Sequence, residues 1–186
     1  MKNLFNKSCI ILFSLAFTTT LFSANNLHIQ QTADIRHSAH YDATSGASAQ
    51  TSVEFKDLKV EALYKSYHVL YEALITDNLQ AAQKAALSLS ATAKVLPAAA
   101  SITITAKKIA SAKTIDAQRK EFSSISNELI SIFRKGVLNK GAVYAAFCPM
   151  ANDEKGAYWL TSEKKIANPY FGSQMLTCGS IKETLK

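Results

Sequence analysis

Apolar residues that recur three and four positions apart, in four successive stretches with short breaks between them, set the strongest limit on how this chain can fold. Val60, Leu63, Tyr67, Leu70 and Leu74 form the first seam, a spacing that places all five on one stripe of an α-helix. Leu79, Ala82, Ala86, Leu89, Ala93 and Leu96 form the second, with Asp77 ahead of it as an N-cap candidate and Pro97 behind it as a stop. Its alanines let neighbouring helices approach closely. The third stretch, 98–112, is weaker: Ile102, Ala106 and Ile109 suit a helix, while residues 101–105 alternate like a strand. Its place between helical partners favours helix. The fourth runs from about Thr114 to Lys135, with Ile115, Gln118, Phe122, Ile125, Leu129 and Ile132 on one side and Gly136 as its end. Short connections make successive helices antiparallel, so the expected fold is all-α, an antiparallel four-helix bundle.

Two segments precede the bundle. Lys2 and Lys7 precede the apolar run 9–17, which leads into small residues up to Ala24, the order of a secretory signal. The run is about half the roughly 20 residues that a membrane-spanning helix needs. The expectation is a signal peptide over residues 1–23, cleaved near Ser23 or Ala24, and a periplasmic or secreted product with no membrane anchor. Cys9 opens the apolar run instead of following it, which argues against lipidation. Residues 24–53 are polar and small, and read as a flexible linker. They hold His28, His37 and His40, of which the last two could share a metal on a helix; solvated side chains are the plainer reading. The folded domain is expected over residues 54–186.

Removing residues 1–23 takes away two lysines and no acid, so 21 bases against 14 acids become 19 against 14. This excess is modest and scattered, without the aromatic-interleaved basic stripe of a nucleic-acid surface. Catalytic signatures are equally lacking. The sequence has no Gly-rich phosphate loop, no His-Glu metalloprotease pattern and no Cys-x-x-Cys. Asp153 and Glu154 are adjacent loop acids whose plain reading is solvation. A non-enzymatic role is expected.

After Gly141 the pattern changes. Residues 142–147 are apolar and strand-compatible, 148–156 read as a turn-rich loop, and 157–186 hold Tyr158, Trp159, Tyr170 and Phe171 with the second mature cysteine, Cys178. So aromatic a tail is expected to pack on one end of the bundle as an irregular, sulfur-rich segment spanning residues 143–179. Its soft atoms stand in two pairs, Cys148 with Met150 and Met175 with Cys178. Brought together, they would suit a monovalent soft ion such as Cu(I) or Ag(I), because polarisable sulfur matches such an ion better than oxygen does. His68 on the first helix is a further candidate ligand. Equally open is a Cys148–Cys178 disulfide, natural for two cysteines in an oxidising compartment, with both methionines as packing residues.

The runs Phe147-Cys-Pro-Met-Ala151, Lys155-Gly-Ala-Tyr-Trp-Leu-Thr-Ser162, Ile166-Ala-Asn-Pro-Tyr-Phe-Gly172 and Met175-Leu-Thr-Cys-Gly179 resemble a secreted helical family of unknown function. That family occurs alone in exported bacterial proteins and appended to CusB-like copper and silver efflux adaptors. The resemblance is most specific over residues 143–179 and looser over the helices, from about residue 58 to 183. Ala167 and Ala146 depart from the basic and polar residues usual at those places. The resemblance implies a periplasmic heavy-metal-binding module, accessory to a metal-efflux adaptor or another periplasmic protein. Its alternative is a non-catalytic structural or interaction domain closed by the disulfide.

Overall fold

A computed structural model describes residues 52–186. The expected signal peptide, Cys9, the three linker histidines and the linker up to residue 51 lie outside the described residues. Within them, β1 (Glu54–Phe55) leads into α1 (Leu58–Ile75), α2 (Leu79–Ala93), α3 (Ala100–Ser111) and α4 (Ile115–Phe133). Four strands follow: β2 (Leu138–Lys140), β3 (Val143–Cys148), β4 (Ala157–Thr161) and β5 (Ser180–Leu185).

The four helices are those the seams specify. Val60, Leu63, Tyr67, Leu70 and Leu74 are all buried, as are Ala82, Ala86, Leu89 and Ala93 of α2 and Ile102, Ala106 and Ile109 of α3. The ambiguous third stretch is helical, entered through a 3-10 turn at Pro97–Ala99. Proline suits that first turn because its missing N–H has no partner there in any case. Thr114 caps α4 by accepting from the Ala117 amide at 3.2 Å. Asp57 caps α1 in the same way through Lys59, at 2.7 Å. The cap of α2 is Asn78, which accepts from the Ala81 amide at 2.9 Å, one residue beyond the expected Asp77. Asp77 takes a left-handed backbone (φ 55°), and its carboxylate is thereby free to act elsewhere.

The C-terminal segment packs on the bundle as expected, but much of it is more regular than the sequence suggests. β3 lies between β4 and β5 in a three-stranded antiparallel sheet, with Ala146 opposite Trp159 and Phe147 opposite Tyr158. A bulge between Ala145 and Ala146 shifts the register against β5. β1 and β2 form a separate antiparallel pair. β4 packs against α4, and its outer edge would leave main-chain groups unpaired in an apolar setting, a cost that buried structure rarely tolerates. Two tyrosines meet it. Tyr67 of α1 accepts from the Leu160 amide at 2.9 Å and shares a hydrogen bond of 2.9 Å with Ser126 of α4. Tyr170 donates to the Tyr158 carbonyl at 2.5 Å. Tyr67 also stacks on Phe122 with ring centres 5.0 Å apart, so one side chain joins α1, α4 and the sheet.

Tyr67→Phe keeps the ring and removes the oxygen, leaving the Leu160 amide buried without a partner. The expected cost is about 1–3 kcal/mol, to be read from urea unfolding. A Phe122→Leu change, which spares both hydrogen bonds, is expected to leave the exchange protection of the Leu160 amide largely intact.

Candidate functional site

The sulfur segment is built around a loop that the bundle holds in place. Asn168 is fully buried, and its side chain donates to the Cys178 carbonyl at 2.7 Å while accepting from the Tyr170 amide at 2.8 Å. Its backbone amide donates to the Leu176 carbonyl at 2.7 Å. One asparagine thus closes the Asn-Pro-Tyr-Phe-Gly turn onto the stretch that carries Cys178. From the bundle side comes Arg119 of α4, also buried. Its guanidinium donates to the Pro169 carbonyl at 2.8 Å, to the Leu74 carbonyl at 3.0 Å and to the Asp77 carboxylate.

Asp77 completes the clamp by accepting from the Ser173 amide at 3.0 Å. Gly172 sits at φ +54°, and a Cβ there would overlap both the Asp77 carboxylate and the Arg119 guanidinium. Only glycine fits so close an approach in that conformation. The donors of Ser173, and then Arg119, hold the Asp77 carboxyl at about 2, below its ordinary 3.8.

Of the expected site residues, the structure brings Cys148 and Cys178 together. Cys148 ends β3 and is fully buried; Cys178, just before β5, is half-buried. Their Sγ atoms are 2.9 Å apart. Both are free cysteines here, at a separation not far beyond the roughly 2.05 Å of a bond between them. The Cys148 sulfur, followed by burial, raises the Cys178 thiol above its ordinary value. Reactive cysteines sit in the opposite setting, where neighbouring cations or helix termini favour the thiolate.

Met150 follows in the turn after β3, with half its surface exposed. It borders a cavity of about 450 Å³ shared with Asp116, Lys120 and the Asn152–Glu154 turn. That turn holds three successive non-glycine residues in the left-handed region, Asn152, Asp153 and Glu154. Met175 is half-buried at the end of the 3-10 turn Gly172–Gln174, and its carbonyl accepts from the Cys178 amide at 3.1 Å. His68 is elsewhere: it packs against Tyr64 and Tyr71 and lines a groove with Ser162. Cys148 pairs with Ala157 at one end of β4, while Ser162 follows Thr161 at the other. Five residues of strand, about 17 Å, therefore separate the neighbourhood of His68 from the cysteines. Among the described residues, no group of three or more His, Cys, Asp and Glu is arranged to hold a metal.

Arg119 and Asn168 were not among the residues singled out in the sequence. A faint signal for Arg119 exists, since it adjoins the seam residue Gln118 on the buried side of α4. Asn168 was visible only as part of a turn.

Residues 63–141 match the model of a family described as a protein of unknown function (DUF3347). The chain contains a DUF3347-family domain. The DUF3347 match begins in α1 and ends before β3, so the helices and β2 lie within it, while Cys148, Met150, Met175 and Cys178 lie beyond it. Both Asp77 and Arg119 fall inside the DUF3347 stretch, and the turn they clamp falls outside. No curated protein matches the chain, and no solved structure does. Among the described residues, no helix is long and apolar enough to cross a membrane.

The lowered Asp77 value fixes a direction for acid stability. A carboxyl depressed on folding adds stability above its unfolded value near 3.8, and that stability is lost as pH falls toward about 2. Thermal midpoints measured between pH 5 and 2 are expected to fall more steeply for the native chain than for Asp77→Asn, whose midpoint is lower at pH 5.

Proposed function

We propose that the chain is a non-catalytic structural or protein-interaction domain whose C-terminal sheet is closed by a Cys148–Cys178 disulfide. The 2.9 Å approach of the two Sγ atoms carries this reading. It is supported by the raised Cys178 thiol, which suits a structural pair better than a nucleophile. Cys148 ends β3 and Cys178 stands two residues before β5, so a bond would join adjacent strands. Bond formation releases two protons and two electrons, taken up by a thiol-disulfide exchange partner in an oxidising compartment. The cysteines lie 30 positions apart, and a loop of that length corresponds to about 3–4 kcal/mol in the chain-entropy treatment.

A second reading keeps the reduced pair as part of a soft-metal site that passes Cu(I) or Ag(I) to an efflux adaptor. What favours it is the converging pair of sulfurs, with Met150 half exposed close by in sequence, together with the sequence resemblance. The two readings part on the state of the thiols.

Alkylating the unfolded protein after purification from the periplasm, followed by peptide mass analysis, decides between them. A linked pair of peptides carrying Cys148 and Cys178 is expected, and reduction is expected to lower the thermal midpoint by on the order of 10 °C. Two alkylated cysteines before any reduction would overturn the disulfide. Cu(I) bound tighter than micromolar, and lost when Met150 and Met175 become leucine, would then establish the metal reading.

A further inference from the structure

The far end of β4 opens on a groove with a different chemistry from the cysteine pair. Val53 and Phe55 form one wall, Tyr64, His68 and Val69 of α1 another, and Glu163 stands at the rim, around a cavity of about 450 Å³. That volume is in the range of small-molecule sites, as is a mostly apolar lining with a few polar groups. The floor is aromatic: Phe55 and Tyr64 have ring centres 5.6 Å apart, and Tyr64 and His68 6.3 Å. Val69 is 59% exposed, an apolar side chain left facing water beside the opening.

Charge selects the ligand. Lys65 lines the groove too, but its ammonium is held by Glu61 at 2.6 Å, whereas Glu163 enters no ion pair among the described residues. Its backbone is fixed, because the Glu163 amide donates to the Thr161 hydroxyl at 3.1 Å and that hydroxyl reaches the Glu163 carbonyl at 3.3 Å. An anionic ligand would meet two carboxylates and a lysine already engaged. A cation would meet a free carboxylate and the faces of aromatic rings, both of which attract it.

We propose that this groove binds a small protonated amine with an apolar, aryl-sized body. The ammonium donates to the Glu163 carboxylate, and the body lies over Phe55 between Val53 and Val69. This site does not depend on the state of the cysteines.

The test uses the full chain and two probes of nearly the same shape, 2-phenylethylammonium and neutral 2-phenylethanol, followed by NMR at Phe55, Tyr64, His68 and Ser162. Saturable shifts at these residues are expected for the amine, with binding roughly tenfold or more tighter than for the alcohol. Glu163→Gln is expected to abolish that preference while leaving alcohol binding in place. Absence of saturable shifts with the amine, equal binding of the alcohol, or indifference of amine binding to Glu163→Gln would overturn the proposal.

Discussion

The Arg119 guanidinium is the point on which the arrangement of bundle and sheet turns. It is a buried cation, so it needs both an opposite charge and acceptors for its donors, since desolvating a charge is otherwise prohibitive. Asp77 supplies the charge, and the carbonyls of Leu74 and Pro169 supply acceptors. These partners come from the end of α1, the turn into α2 and the loop before Cys178. Satisfying one arginine therefore fixes the relative placement of α4, the α1–α2 corner and the loop before Cys178, three segments far apart in sequence. The left-handed backbone at Asp77 follows from the same demand, because it frees the carboxylate from capping α2, a task that Asn78 takes over.

A second constraint comes from laying a sheet edge against helices. Apolar contact alone would bury the outward amide of Leu160 and carbonyl of Tyr158 without partners. The hydroxyls of Tyr67 and Tyr170 supply them. Burial pushes both phenols well above their ordinary titration range, so they remain neutral hydrogen-bonding groups throughout the range in which the protein folds. The tyrosine at the centre of the first apolar seam is thus more than a core residue: its ring belongs to the bundle and its oxygen to the sheet.

These details show where reading the sequence succeeds and where it stops. Helical seams repeat locally, every three or four residues, so α1, α2 and α4 follow from spacing, and even Thr114 and Gly136 are visible as ends. The strands are short and pair with distant residues. β3 is largely apolar across both faces, while β5 (Ser180–Leu185) is polar, with Lys182 and Glu183 at its middle, and only their pairing makes sense of either. Arg119 and Asp77 are ordinary helix-surface and capping residues until a loop 50 positions beyond the first and 96 beyond the second docks on them. The cysteines were legible as a pair because their chemistry is distinctive, but spacing does not give their 2.9 Å approach. For His68 the same limit worked in the other direction: a helix position gives its face, not the end of the sheet it meets.

β4 then explains why two such different neighbourhoods can coexist. Its first residue, Ala157, pairs with Cys148, and the residues just past its last, Ser162 and Glu163, line the amine groove. Between them Trp159 and Leu160 are fully buried, and a Cβ on Gly179, next to Cys178, would overlap the Trp159 ring. The strand is held on one side by β3 and on the other by two tyrosine hydroxyls, so it has little freedom to slide. A one-residue slip would turn Trp159 out of the core and carry Ala157 away from Cys148 together. Both ends are therefore set by one register, and the groove and the cysteine pair can differ in chemistry while depending on the same buried strand for their shape.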